Sequence, residues 1–247
     1  MKIKLIACEV LTRELGLVAA ESRHIFDNTF LPFGLHCTPD KLRTTIQSEI
    51  DSAEGGGYGF IALGYCLCSR GTVDITARSV PVLIPRGHDC ITMFLGSRKR
   101  YAGEFTSHPG TYYYSSGWIE RSDGDVEQGN ITAKKDRETS ERYEEYVRKY
   151  GEDNAKFLIE QETLWLANYT RAALIDMGIG DIEAYRSFVN NVASTHSWEC
   201  SELSGDWSLI RKLADGEWSD EDFLTVKPGE RTVETFDDRI MTSKNAG

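Results

Sequence analysis

The 247-residue chain has no basic stripe: 28 Lys and Arg stand against 39 Asp and Glu, a formal net charge of −11. Nucleic acid and anionic membrane surfaces are both held through clustered Lys and Arg, so neither is an expected partner. No apolar run reaches the ~20 residues that a membrane-spanning helix needs. The apolar run in "MKIKLIACEVL" is too short for the core of a secretion signal, and Glu9, Arg13 and Glu14 interrupt it soon after. The expected location is therefore cytoplasmic. No internal repeat of short fixed period occurs, and no paired C-x-x-C knuckle. Six cysteines in a reducing compartment do not imply a disulfide framework. They read as buried thiols, nucleophiles or metal ligands. "GGGYG" precedes a strand instead of following one, so it is a helix stop and not a phosphate-binding loop.

What is present is an ordinary globular composition, 40% hydrophobic and 27% charged, long enough for one large domain or two small ones. "IKLIAC", "HIFDNTFLP", "YGFIALGYC" and "VPVLIP" read as strands, and helical patterns fall between them. In "TPDKLRTTIQSEIDSAEGGG", Thr38 and Pro39 supply a helix start, Leu42, Ile46 and Ile50 a stripe, and the glycines a stop. "TVDITARS" is expected to be helical, as is the whole of "CITMFLGSRKRYAGEFTSH", while "TYYYSSGWIE" reads as a strand. Strands alternating with helices predict an α/β fold with a Rossmann-like, doubly wound, mostly parallel sheet. A helical insertion and a second small αβ unit are expected to follow.

The boundaries expected are an α/β half at 1–122, a linker or exposed loop at 123–136, and a helical pair plus C-terminal αβ unit at 137–247. In "RETSERYEEYVRKYG", Glu138/Arg142, Glu144/Arg148 and Glu145/Lys149 have helical i,i+4 spacing. "DNAKFLIEQETLWLANYTRAALIDMG" reads as one long helix and "DIEAYRSFVNNVAS" as another. "WECSELSGD" reads as a strand, "WSLIRKLADG" as a short helix capped by Gly216, and "DFLTVKPGE" as a strand and turn. The tail from Thr242 is expected to fray.

In open parallel sheets, ligands bind outside the carboxyl ends of the strands. Cys8 ends the first strand, His36 follows the second, Cys66 and Cys68 follow the third, and His88 and Cys90 follow the fourth. Cys8, Cys68, His88 and Cys90 would give three thiolates and an imidazole, a ligand set suited to tetrahedral zinc. The same cysteines could instead hold an iron–sulfur cluster with one iron open. His88 and His36 are the candidate general bases. Glu9, Arg86 and Asp89 are candidates to fix the ligands, with a solvated loop charge the plainer reading of Arg86. Cys37 and Cys200 are expected to be structural, and Tyr112, Tyr113, Tyr114 and Trp118 to be core. A covalent cysteine enzyme with His88 as base ranks last, because loop neighbours at i,i+2 rarely face each other.

"KIKLIACEVLTRE", "GLHCTPDKLRTTIQ", "GYCLCSRGTVDI", "IPRGHDCITMFLGSRKRY", "HPGTYYYSSGWIE" and "SGDWSLIRKLADGEWSDEDFLTVKPGE" together resemble the domain of unknown function 1638 family of bacterial and archaeal proteins. The resemblance runs over nearly the whole chain. Family members typically read "GYGLCGNGT" where this chain has "GYCLCSRGT", which makes Cys68 the family-type cysteine and Cys66 a local departure. Cys8, His88 and Cys90 also fall in family-type motifs. The resemblance supplies no reaction. Some members are encoded near corrinoid-dependent methyltransferase systems, which implies one-carbon metabolism, a small-molecule substrate and a corrinoid protein as partner. His88-x-Cys90 is also similar to the His-x-Cys zinc ligands of cobalamin-linked methyltransferases, which have a different fold. The expected function is a metal-binding enzyme or accessory protein performing methyl transfer or hydrolysis. A non-catalytic binding module with structural cysteines is the remaining alternative.

Overall fold

The structure, a computed structural model, describes residues 1–121, 143–163 and 167–247. These fall into two compact units, one built from residues 1–102 together with 204–247, the other from 103–203.

The first unit is built on a five-stranded sheet. Strands β1 (Lys2–Cys8), β2 (Ile25–Leu31), β3 (Phe60–Gly64), β4 (Val82–Pro85) and β8 (Phe223–Val226) lie in the order β2-β1-β3-β4-β8. The first four are mutually parallel, and β8 closes the sheet antiparallel to β4, pairing Val82 with Val226 and Pro85 with Phe223. The expected mostly parallel α/β architecture is what the chain forms. Ile3, Leu5, Ile6, Ile61, Leu63, Val82 and Ile84 are fully or almost fully buried. That accounts for the near-continuous apolar strands, since a covered parallel sheet leaves little room for alternation.

Helix α1 (Thr12–Glu21) follows β1 through a short 3-10 turn at Glu9–Leu11. It sits close on the sheet: a Cβ on Gly64 would stand 2.7 Å from Leu15 Cδ1 and 2.4 Å from Ala7 Cβ. Helix α2 (Pro39–Ser52) follows β2, begins on Pro39 and buries Leu42, Ile46 and Ile50 as its spacing predicts. Each such side chain contributes about 1.5–3 kcal/mol of burial. Gly55 and Gly57 then turn the chain with φ of 74° and 72°.

Between β3 and β4 the structure departs from expectation. "TVDITARS" is not a helix. Thr76 bridges Arg231, the Asp74 and Ala77 N–H groups donate to Thr232 and Glu230 carbonyls, and Thr232 N–H donates to Ile75. The segment is thus laid along strand β9 (Glu230–Glu234). Val73, Ile75 and Thr76 are β-branched and disfavour helix, and a distant strand supplies the hydrogen bonds they would otherwise lack. Strand β10 (Met241–Asn245) pairs antiparallel with β9, so the tail expected to fray from Thr242 is ordered there.

"CITMFLGSRKRYAGEFTSH" forms two helices, α3 (Ile91–Phe94) and α4 (Arg98–Ser107), because Gly96 breaks it at φ 77°. There the backbone crowds Asp206, with a Cβ on Gly96 only 2.5 Å from Asp206 Cγ.

The second unit carries a three-stranded sheet in the order β5-β6-β7, formed by Thr111–Tyr114, Arg171–Asp176 and Glu199–Ser204. "TYYYSSGWIE" contributes β5 and then helix α5 (Ser116–Arg121). The stretch expected to be one long helix supplies α6 (Glu152–Thr163) and then β6. "TRAALID" fits either state by its apolar run, and parallel pairing of β6 with β5 decides for strand. Helix α7 (Ile182–His196) is capped by Asp181, whose carboxylate accepts from Ala184 N–H at 3.1 Å. Its Tyr185, Phe188, Val189 and Val192 pack with Tyr114, Ile119, Ala172 and Leu174. Residues 143–150 are helical, and Glu145 pairs with Lys149 at 2.5 Å. The expected 123–136 loop and the Glu138/Arg142 pair lie outside the described residues.

Helix α8 (Ser208–Asp215) ends at Gly216 as its sequence predicts, with φ 84°. The boundaries read from sequence, at 122 and 136, differ from the compact units because residues 204–247 return to the first sheet. Nothing local in "DFLTVKPGE" names β4 as its partner.

Candidate functional site

The carboxyl ends of β1, β2, β3 and β4 lie on one edge of the sheet, because the strands are parallel. Strand order reverses between β1 and β3: β2 follows β1 in sequence and flanks it on one side, while β3 and β4 lie on the other. In sheets of this kind, such a reversal opens a crevice.

Register then fixes the neighbours. Ala7 pairs with Gly64, so Cys8 and Tyr65 follow side by side. Beyond β3 and β4 the two exit loops stay in contact: Leu67 N–H donates to Gly87 at 2.9 Å and Cys68 N–H to the His88 carbonyl at 2.8 Å. Gly87 is needed there, since a Cβ would stand 2.7 Å from Thr92 Oγ1 and 2.9 Å from Cys66 Sγ.

Cys8, Cys66, Cys68 and Tyr65 are buried and Cys90 is half-buried, and all six cysteines are free thiols. Burial pushes the Cys66, Cys68 and Cys90 thiols well above their ordinary range. Asp89 and neighbouring sulfurs push them further: Cys68 feels Cys66 and Cys8, and Cys90 feels Cys68 and Cys8. Burial raises Cys8 too, but the Val10 N–H and the Tyr65 hydroxyl favour its thiolate, while Glu9 opposes it. Cys8 is the residue at the start of the Glu9–Leu11 turn, though its side chain makes no capping hydrogen bond of ordinary geometry there.

Tyr65 is held neutral, first by burial and then by the charge that Cys8, Cys68 or Cys90 would carry. Its hydroxyl makes no hydrogen bond of ordinary geometry, although the Cys8 sulfur is near enough to act on it. Thr92 Oγ1, buried beside Gly87, is likewise without a partner.

The loop Cys66–Val73 has unusual backbone. Cys68, Ser69 and Arg70 are consecutive residues at φ 44°, 55° and 71°, a left-handed turn that costs roughly 1–2 kcal/mol per non-glycine residue. Its surroundings hold it. Gly71 N–H donates to Cys68, Thr72 Oγ1 to Cys66, and Arg43 reaches the Val73 carbonyl at 2.7 Å, while Arg70 pairs with Glu234 at 3.1 Å. Gly71 lets Leu42 approach to where a Cβ would be only 2.4 Å away. Strain retained in this way is a mark of functional loops.

Asp89 accepts from Tyr101 Oη and Ile91 N–H, both at 3.0 Å, yet burial still raises its carboxyl. His36 is half-buried on the short Leu35–Cys37 turn; burial lowers its pKa and Asp89 opposes the shift. His88 is exposed, beside Asp89, and it is its backbone carbonyl that engages Cys68. Glu9 accepts from Phe33 N–H at 3.0 Å and so ties the exit of β2 to that of β1.

Of the sequence-chosen residues, the structure thus gathers Cys8, Cys68 and Cys90, adds Cys66, places His36 near Asp89, and leaves the His88 side chain outward. Among the described residues, no three His, Cys, Asp or Glu side chains stand arranged as ligands around a metal ion. Tyr65 was missed; the one signal for it was its place directly after a strand carrying the family-type cysteine loop.

Arg86 corrects its plainer reading, because it is 2% exposed. Its guanidinium donates to the Asp220 and Arg239 carbonyls at 2.8 and 3.1 Å, to the Met241 carbonyl, and to the Asp220 carboxylate at 2.9 Å. It binds the C-terminal segment to the end of β4. Cys37 and Cys200, expected to be structural, are exposed. His108 follows α4 and lies 3.3 Å from Glu104.

The family described as Protein of unknown function (DUF1638) matches residues 30–214. That span takes in His36, Cys66, Cys68, His88 and Cys90; it stops short of Cys8 and of the C-terminal strands, and so is narrower than a whole-chain likeness. No curated protein and no solved structure matches.

Proposed function

The chain belongs to the DUF1638 family, whose description names no chemistry, and from its own site we propose a thiolate metal-binding α/β protein. Cys8, Cys68 and Cys90 are the ligands, and zinc is the metal that this donor set suits best. One observation carries the reading: parallel strands and their bonded exit loops deliver cysteines from three separate strand ends to one edge of the sheet, where Cys68 and Cys90 both feel the charge of Cys8, and Cys90 that of Cys68. Protonated thiols gain little from such crowding, and thiolates without a cation would repel. A soft divalent cation turns that repulsion into attraction.

The ligands do not stand in coordinating positions, so the proposal requires the cysteine side chains to turn toward a common point on binding. A cysteine has one rotatable χ angle, and the cost of such a turn is small beside the free energy of thiolate–zinc binding, about 10–16 kcal/mol for structural sites at neutral pH. Bound zinc would supply Lewis acidity and lower the pKa of a thiol or water beside it. The chain's own residues have separate tasks. Asp89 orients the β4 exit through Tyr101 and Ile91, His36 stands nearby as a half-buried base, and Glu9 fixes the neighbouring loop. The substrate is a small molecule in a methyl-transfer or hydrolytic step; a corrinoid protein is the partner that the family resemblance suggests.

The test is metal analysis of protein purified without oxygen or chelator. Stoichiometric zinc, lost in Cys8→Ala and in Cys90→Ala, supports the proposal. Iron with sulfide and a brown colour would replace it with a cluster on the same cysteines. Metal-free protein that takes up no zinc would leave a binding module with buried thiols.

A further inference from the structure

Strand β2 ends the five-stranded sheet on one side, with β1 as its neighbour and no described strand beyond it. Its pairing with β1 runs unbroken from Lys2–Ile25 to Cys8–Leu31, seven residues without a bulge. An edge strand offers unpaired N–H and C=O groups to any second strand, and proteins ordinarily blunt it with lysine, proline, a bulge or brevity. "IFDNTFL" has none of these; Pro32 comes only after its end. The opposite edge, β8, is four residues long. Strands of a covered parallel sheet are buried, yet of β2 only Leu31 is, and Ile25 is 68% exposed. Register tells which backbone groups are free. The Ile25 N–H donates to the Met1 carbonyl at 3.0 Å, so Ile25, Asp27, Thr29 and Leu31 turn theirs toward β1. Successive residues of a strand alternate in this, so Phe26, Asn28 and Phe30 turn theirs outward.

We propose that two copies of this chain associate through β2, antiparallel about a two-fold axis at Asn28, joining their five-stranded sheets into one continuous sheet. The occupant is a second copy because the edge is its own complement. About that axis Phe26 opposes Phe30 and Asn28 opposes Asn28, each pair exchanging two N–H···O=C bonds, so every outward group is satisfied. The neighbouring registers are worse. An axis at Asp27 opposes two carboxylates, and one at Thr29 sets Phe26 against Pro32, which has no N–H. Charge selects the same arrangement. Two chains of net charge −11 repel in general, but the one charge in β2, Asp27, opposes Thr29. It is already compensated by Lys4, 3.8 Å away, and by the Tyr58 hydroxyl, and Lys4 also donates to Thr29 Oγ1 at 2.7 Å. On one face Ile25 meets Leu31, and on the other Phe26 meets Phe30, so the apolar edge covers itself. No metal takes part.

The experiment is sedimentation velocity of the reduced full-length chain over a series of concentrations, with a chelator present. A monomer–dimer equilibrium is expected. Asn28→Pro removes an outward N–H without touching a bond to β1, and edge strands tolerate proline at such positions. It should weaken the dimer about ten- to a hundredfold, since both bonds at the axis are lost. Should Asn28→Pro fail to fold, charge decides the matter, because Asn28 is exposed and accepts other polar side chains. Asn28→Lys and Asn28→Asp should each remain monomeric where the parent is dimeric, like charges meeting at the axis, and an equimolar mixture of the two should dimerise. Amide hydrogen exchange reads the register. The Phe26, Asn28 and Phe30 amides should be protected in the dimer and lose protection on dilution, whereas those of Asp27 and Thr29 stay protected throughout. A chain that is monomeric at every concentration overturns the proposal. So does a dimer indifferent to Asn28→Pro and to the Lys and Asp variants, because it then forms through another surface.

Discussion

Cys66 shows how one side chain connects burial to pH. It is fully buried, and burial first, then Asp89 and Cys90, push its thiol well above the ordinary value. In the unfolded chain a cysteine ionises near ~8.5. A group whose folded pKa is raised adds stability that is complete below the unfolded value and is lost as pH rises toward the folded one. The metal-free, reduced chain should therefore lose stability above about pH 8.5, by up to ~1.4 kcal/mol per pH unit for each such thiol. Cys66→Ala should flatten that slope in urea unfolding measured across this range, and an unchanged slope would refute the assignment. Arg86 gives a second prediction. Replacing it with Met leaves three backbone carbonyls, of Asp220, Arg239 and Met241, and the Asp220 carboxylate without their donor, at a loss of about 3 kcal/mol. A urea midpoint within error of the parent would show that the clamp is dispensable.

Among the elements, the left-handed turn Cys68-Ser69-Arg70 gives the sharpest expectation. Ser69 is exposed, at φ 55°, and so is held in a backbone region that glycine occupies without penalty. Ser69→Gly should stabilise the folded chain by about 1 kcal/mol, raising its thermal midpoint, while leaving metal uptake unchanged. A fall in midpoint would mean that the serine makes a contact worth more than the strain. The other elements were legible to different degrees. Helices α2, α7 and α8 could be read because their caps and stripes lie within a dozen residues. The segment Thr72–Ser79 could not, because its hydrogen bonds come from β9, more than 150 residues further on. The strand "TRAALID" could not either, since its apolar run satisfies helix and strand alike until β5 is beside it.

For the whole molecule, the first unit depends on its own distant C-terminal segment. Strand β8 pairs with β4, α8 packs against α1, and β9 carries the 73–77 segment. A chain ending at residue 203 should lose the cooperative unfolding transition of this unit and, with it, metal uptake; a truncated chain with parent-like circular dichroism and zinc binding would contradict the topology. The second unit has its own sheet and aromatic core, and no residue of the thiol cluster lies in it.

The sequence by itself determined the mostly parallel α/β class, the strands whose carboxyl ends lead to Cys8, Cys68 and Cys90, and the caps of the longer helices. These follow from local periodicity and from the parallel arrangement that strand–helix alternation demands. Tertiary structure alone decided that Tyr65 stands among the sulfurs, that His88 turns outward, that Arg86 is buried, and that residues 204–247 complete the first sheet. Each depends on side-chain direction at a strand exit or on a pairing across more than a hundred residues, and neither quantity is encoded in the residues next to it.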